Sequence, residues 1–149
     1  MANRKKPAHG VWIDPDRPTI VFVTVCTRDR LPWLATEQNH RRLRELWERA
    51  NAWRVGRDVL MPDHLHLFAA PGPLDLPLDN WVRSWKSQFT KVHREGSRNW
   101  RTDHWDTRLR SEESYEEKWW YVRNNPVRAG LVARAEEWPL QGELNRLEW

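Results

Sequence analysis

The sequence predicts an α+β domain in which an antiparallel sheet carries helices on one face and has a third helix beside the other. Three observations predict it. Thr19 to Thr27 is β-branched and aromatic almost throughout, too short for a helix and bounded by Pro18 and Arg28-Asp29-Arg30, as expected of a central strand. The segments following Thr36 and Asp79 place their apolar residues on one stripe at helical spacing. Trp53 to Met61 and His64 to Ala70 read as strands separated only by Pro62-Asp63, a link short enough for a hairpin.

Taken in order, residues 1–18 are Pro-rich and charged without a period and read as an N-terminal arm. After the first strand, Thr36 is the expected cap of a helix whose inner stripe is Leu43, Leu46, Trp47 and Ala50. The two strands of the hairpin follow. Asp79 is the expected cap of a second helix with Val82, Trp85, Phe89 and Val92 inside, ended by Gly96-Ser97. His104 to Leu109 alternates as a last strand, and Ser111 caps a third helix with Glu112 and Glu113 at its positive end. Asn124-Asn125-Pro126 stops that helix, because proline disfavours helical geometry in the residue before it. Residues 133–149 read as a packed tail with a short helical segment near Glu143. The order of strands and helices is that of a ferredoxin-like unit, and residues 1–149 are expected to form one domain.

Composition narrows the function classes. Charged residues make up 31% of the chain, but 12 tryptophans supply enough buriable surface for a folded core. The net charge of +4 and a pI near 9.6 suit a polyanionic partner. One cysteine, Cys26, excludes a disulfide framework and a cysteine-based zinc knuckle. With no apolar stretch near the roughly 20 residues of a membrane span and no secretion signal, a cytoplasmic protein is expected, with no membrane partner.

The chemistry concentrates in two strings. In an extended His64-Leu65-His66-Leu67 the two imidazoles share one face and the two leucines the other. The imidazoles are then about 7 Å apart and able to bind one divalent ion if other groups converge, although two half-exposed histidines would show the same pattern. In the third helix Tyr121 and Asn125, four residues apart, address one point, whereas Tyr115 lies more than two turns from Asn125 and is expected to pack. A phenol, an amide oxygen and two imidazoles together suit cleavage of a phosphodiester.

Met61-Pro62-Asp63-His64-Leu65-His66-Leu67 and Tyr121-Val122-Arg123-Asn124-Asn125-Pro126-Val127-Arg128-Ala129-Gly130-Leu131-Val132, with the Trp-rich, charged stretch 100–110 between them, resemble the single-tyrosine HUH transposases, specifically the REP-associated tyrosine transposases. The likeness runs from about Ile20 to Val132. It implies a ferredoxin-like HUH nuclease domain acting on single-stranded and hairpin DNA with Mg²⁺ or Mn²⁺. It carries His64 and His66 over as metal ligands, Asn125 as third ligand, and Tyr121 as the nucleophile that becomes linked to the 5′ side of the break. Asp63 departs from the family's more frequent asparagine and, at a turn, is expected to have little effect on the ligands. A monomer is expected, with the helix-exchanging dimer of shorter relatives as the alternative.

Basic residues beside aromatics suit a single strand, gripped by phosphate attraction and base stacking. Lys86, Lys91, Arg94, Arg108, Arg110, Arg123 and Arg128 are candidate DNA contacts, with Arg98 and Arg101 nearby. Most tryptophans must be core, leaving Trp100, Trp105 and Trp120 as candidates for DNA. Two alternatives keep part of this reading: a domesticated hairpin binder with little turnover, and a metal hydrolase using water as nucleophile.

Overall fold

A computed structural model describes residues 19–93 and 99–148. The arm over residues 1–18, the expected helix end at Gly96-Ser97, and Arg94 and Arg98 lie outside the described residues. Five antiparallel strands form one sheet: β1 (Val21–Thr27), β2 (Trp53–Leu60), β3 (His64–Pro71), β4 (Trp100–Arg108) and β5 (Gln141–Glu143). Their spatial order is β4-β1-β3-β2-β5, so the first four strands have the predicted ferredoxin-like arrangement. Helices α1 (Glu37–Arg49) and α2 (Leu78–His93) connect them, followed by α3 (Glu112–Arg123) and the single turn α4 (Asn125–Arg128).

Two apolar clusters sandwich the sheet. On one face Val21, Val23 and Val25 of β1 and Leu65 and Leu67 of β3 pack against Leu43, Leu46 and Trp47 of α1 and Trp81, Val82, Trp85 and Phe89 of α2. The second cluster joins Phe22, Val59 and Phe68 of the other face to Tyr115 and Val122 of α3. That face is therefore not bare: α3 packs on its Phe68 end, while His64 and His66 stay partly exposed.

Sequence patterns located the elements better than their ends. Thr36 caps α1, its side chain accepting from Asn39 N, and Ser111 caps α3 in the same way through Ser114 N. Asp79 is not the cap of α2 but lies in its first turn, where its carboxylate pairs with Arg83 one turn on. β4 starts at Trp100, four residues before the predicted His104, because Trp100 is drawn into the core against Trp85, Phe89 and Trp33. The tail near Glu143 is a strand, not a helix: Gln141, Gly142 and Glu143 pair with Val59, Asp58 and Arg57 of β2. Its backbone groups are satisfied by the free edge of β2, a partner no local pattern reveals. Among the described residues no helix is long and apolar enough to cross a membrane.

Candidate active site

Sheet register decides which side chains share the histidine face. Thr24 of β1 stands opposite both His66 of β3 and Trp105 of β4, and Cys26 stands opposite His64. Directly paired residues project on the same side, so Trp105, Thr24 and His66 form a row across the sheet, with His64 and Cys26 one step along. The predicted histidine face is present, and its rings meet edge to face with centroids 4.8 Å apart.

Both rings are tied through Nδ1. His64 Nδ1 donates to Asp63 Oδ1 at 2.7 Å, and His66 Nδ1 lies 2.8 Å from the Thr24 hydroxyl oxygen. The two Nε2 atoms remain as donors, a pair chemically suited to one divalent ion. Among the described residues no group of three or more His, Cys, Asp or Glu is arranged for a metal; further ligands would have to be amide, water or substrate oxygens.

Asp63 has a larger part than its turn position suggested. Arg30 Nε donates to its other oxygen at 2.9 Å, and its backbone carbonyl accepts from Thr27 N and Thr27 Oγ1. Burial acts to raise the Asp63 carboxyl, but the hydrogen bonds from Arg30 and His64 outweigh it and hold the group below its ordinary value. For His66, burial and then the neighbouring charges of His64, Lys118, Arg128 and Arg30 push the pKa down to about 3. The imidazole is therefore neutral at physiological pH, the form that ligates a metal.

Tyr121 and Asn125 do not share one helix. Asn124, at φ −88° and ψ 0°, ends α3, and Asn125 opens α4. Because that junction stays close to helical geometry, Lys118, Tyr121, Asn125 and Arg128 still follow one another along one side. Lys118 Nζ lies 4.7 Å from the Phe22 ring and 5.6 Å from that of Tyr121, and Phe22 stacks on His66 at 5.1 Å. Those contacts link the tyrosine to the histidines. Tyr121 is 61% exposed, and the Arg128 guanidinium lies 4.1 Å over its ring while donating to Asn125 Oδ1. Tyr115 packs as expected, buried against Phe68.

The other candidates divide. Trp105 is 48% exposed on the histidine face, and Trp120 is exposed with Arg123 over its ring at 4.5 Å. Trp100 is core, so its assignment to DNA fails. The buried Lys86 donates to the carbonyls of Arg101 and Thr102; it braces β4 rather than presenting a free charge. Lys91 is exposed on α2, on the helical side of the sheet. Arg108 stands opposite Val21, whose side chain faces that same helical core, so neither adjoins the histidines. Arg110 is exposed between β4 and α3, and Arg123 is 3.8 Å from Glu136. Sequence reasoning missed Lys118, Thr24, Phe22 and Arg30. Lys118 was detectable from its spacing of three to Tyr121, and Thr24 from being polar in the middle of an apolar strand.

No family model matches the chain. The REP-associated tyrosine transposase of Escherichia coli strain K12 is 32% identical over 123 residues, covering 79% of this chain and 72% of that protein. A solved structure of a REP-associated tyrosine transposase bound to a REP hairpin aligns with a TM-score of 0.71 at 26% identity, over 82% of this chain and 74% of the other. A candidate transposase of Deinococcus radiodurans R1 shares the fold alone, with a TM-score of 0.52 at 17% identity over 80% of this chain and 96% of that one. Since the likeness to the Escherichia coli protein spans most of both sequences and extends to the sheet that carries the two histidines, the chain belongs to the REP-associated tyrosine transposases.

Proposed function

We propose that this transposase cleaves and rejoins single-stranded DNA beside a hairpin, with Tyr121 as nucleophile and His64, His66 and Asn125 holding Mg²⁺ or Mn²⁺. One observation carries the reading: an exposed tyrosine, flanked by the cations Lys118 and Arg128, is linked by side-chain contacts to two imidazoles whose Nε2 atoms are available. The hairpin bound to the solved relative and the basic charge of this chain support the same substrate class.

In this mechanism the Tyr121 oxygen attacks phosphorus and loses its proton to solvent. The bond to the 3′ oxygen breaks, that oxygen takes up a proton, and the 5′ phosphate stays on the tyrosine. The phosphotyrosine keeps the energy of the broken bond, so a second strand's 3′ hydroxyl reverses the step without ATP. When bound, the ion would neutralise and orient a non-bridging phosphate oxygen. Arg128 can turn from Asn125 to the phosphate, which frees the amide oxygen for the third position. Because α3 buries Tyr115 and Val122 against its own sheet, the reading has Tyr121 act within one copy.

The test is incubation of the protein with a labelled hairpin bearing single-stranded flanks and Mn²⁺, followed by mass spectrometry of the DNA-linked peptide. The expected adduct maps to Tyr121 and disappears in Tyr121→Phe. Undiminished cleavage by that variant would make water the nucleophile in place of Tyr121.

A further inference from the structure

We infer that the cleft between the Arg28–Arg30 turn and β4 is a phosphate subsite for the single strand next to the scissile position, with Trp105 as the stacking platform between that subsite and the histidines. This deepens the proposed function and rests on it. The cleft measures about 220 Å³ and is lined by Thr27, Arg28, Asp29, Arg30, Arg101 and Thr102. Three guanidiniums outweigh the one carboxylate, and the exposed Thr102 adds a hydroxyl, a set suited to phosphate oxygens. Both walls are anchored to the histidine site. Arg30 donates to Asp63, which holds His64, and the Arg101 guanidinium lies 5.0 Å over the ring of Trp105, which shares the row of Thr24 and His66.

The backbone supports a built feature and not a chance surface cluster. Asp29 and Arg30 both have φ near +55°, a left-handed conformation that non-glycine residues seldom adopt and that persists where the surroundings impose it. Here it turns the chain sharply after β1. Arg28 N donates to Asn99 O and Lys86 holds the carbonyls of Arg101 and Thr102 from below, so the two walls are braced from main chain and side chain. Beyond Arg101 and Thr102 lies a second cleft of about 310 Å³, lined in part by Arg83, Ser87 and Thr90. A strand leaving the histidines can thus stack a base on Trp105 and set its next phosphate among Arg28, Arg30 and Arg101.

Fluorescence anisotropy with the full chain in EDTA tests this, using a blunt hairpin and the same hairpin with single-stranded flanks, each flank phosphate replaced in turn by a neutral methylphosphonate. The Arg28→Gln/Arg101→Gln variant is expected to bind the flanked hairpin about tenfold more weakly, with a shallower salt dependence, and the blunt hairpin as before. One methylphosphonate position should weaken the wild type and leave that variant indifferent. Arg101→Lys should recover part of the loss, and unchanged thermal unfolding of the variants excludes a folding defect. Equal losses on both oligonucleotides, unaltered binding of the flanked one, or a flat methylphosphonate scan would overturn the subsite. The two failures are distinguishable: without a Tyr121 adduct but with the sensitive position, cleavage fails and the subsite stands.

Discussion

Asp63 Oδ1 and His64 Nδ1 lie 2.7 Å apart, so the carboxylate fixes Nδ1 as the protonated nitrogen of His64 and leaves Nε2 as the one able to ligate. Partners of this kind orient a ligating imidazole and raise its basicity, and their loss lowers metal affinity roughly 10- to 100-fold. Asp63→Ala is therefore expected to weaken Mn²⁺ binding, measured calorimetrically, by about that factor while the fold survives. Asp63→Asn retains an acceptor oxygen and should lose much less. Equal affinity in Asp63→Ala and wild type would show that the carboxylate does not orient the ring.

Gly72 marks where β3 leaves the sheet. Its amide donates to Ala52 O at 2.8 Å, and a Cβ added there would sit 2.1 Å from the Asn51 carbonyl oxygen. Backbone cannot yield as a side-chain tip can, so Gly72→Ala should cost roughly 1–3 kcal/mol, in the range of other overpacked sites. A urea midpoint equal to that of wild type would contradict the clash.

Much of this architecture was legible because it rests on local patterns. The β-branched run at Val21–Thr27, the caps at Thr36 and Ser111, and the alternation that puts His64 and His66 on one face each follow from residues close in sequence. What stayed hidden depends on pairings between distant segments. β5 forms only because β2, more than half the chain earlier, offers an edge on which Gly142 pairs with Asp58 and Gln141 with Val59. Asp63 looked like an ordinary turn residue because Arg30, which holds it, lies 33 residues earlier. Lys86 read as a candidate DNA contact; only the fold shows that two β4 carbonyls claim it.

Tyr115 gives the fold a measurable alkaline limit. Burial, against the lowering charge of Arg57, pushes its pKa up to about 12, above the ordinary value near 10. The unfolded chain ionises this phenol first, so its stabilising contribution is complete below pH 10 and is lost as pH rises towards 12. Between pH 9 and pH 11 wild type should lose about 1 kcal/mol more than Tyr115→Phe, a difference readable from urea midpoints. Parallel losses in the two proteins would show that the phenol ionises as it does in the unfolded chain.

Lys118 provides the last prediction. Its ammonium lies between the rings of Phe22 and Tyr121, at 4.7 and 5.6 Å, where the proposed reaction would bring a phosphate whose charge grows on the equatorial oxygens as the tyrosine attacks. A cation already fixed there favours the transition state over the bound substrate, and removing one such group typically costs about 10²- to 10³-fold in rate. Lys118→Met keeps the aliphatic stem over Phe22 and deletes only the charge, so it should slow single-turnover adduct formation by roughly that factor while weakening DNA binding only a few-fold. Lys118→Arg should recover part of the rate. The discriminating result is the dependence of rate on DNA concentration: if saturating DNA restores the wild-type rate in Lys118→Met, the ammonium merely attracts the strand and does not act on the phosphoryl transfer.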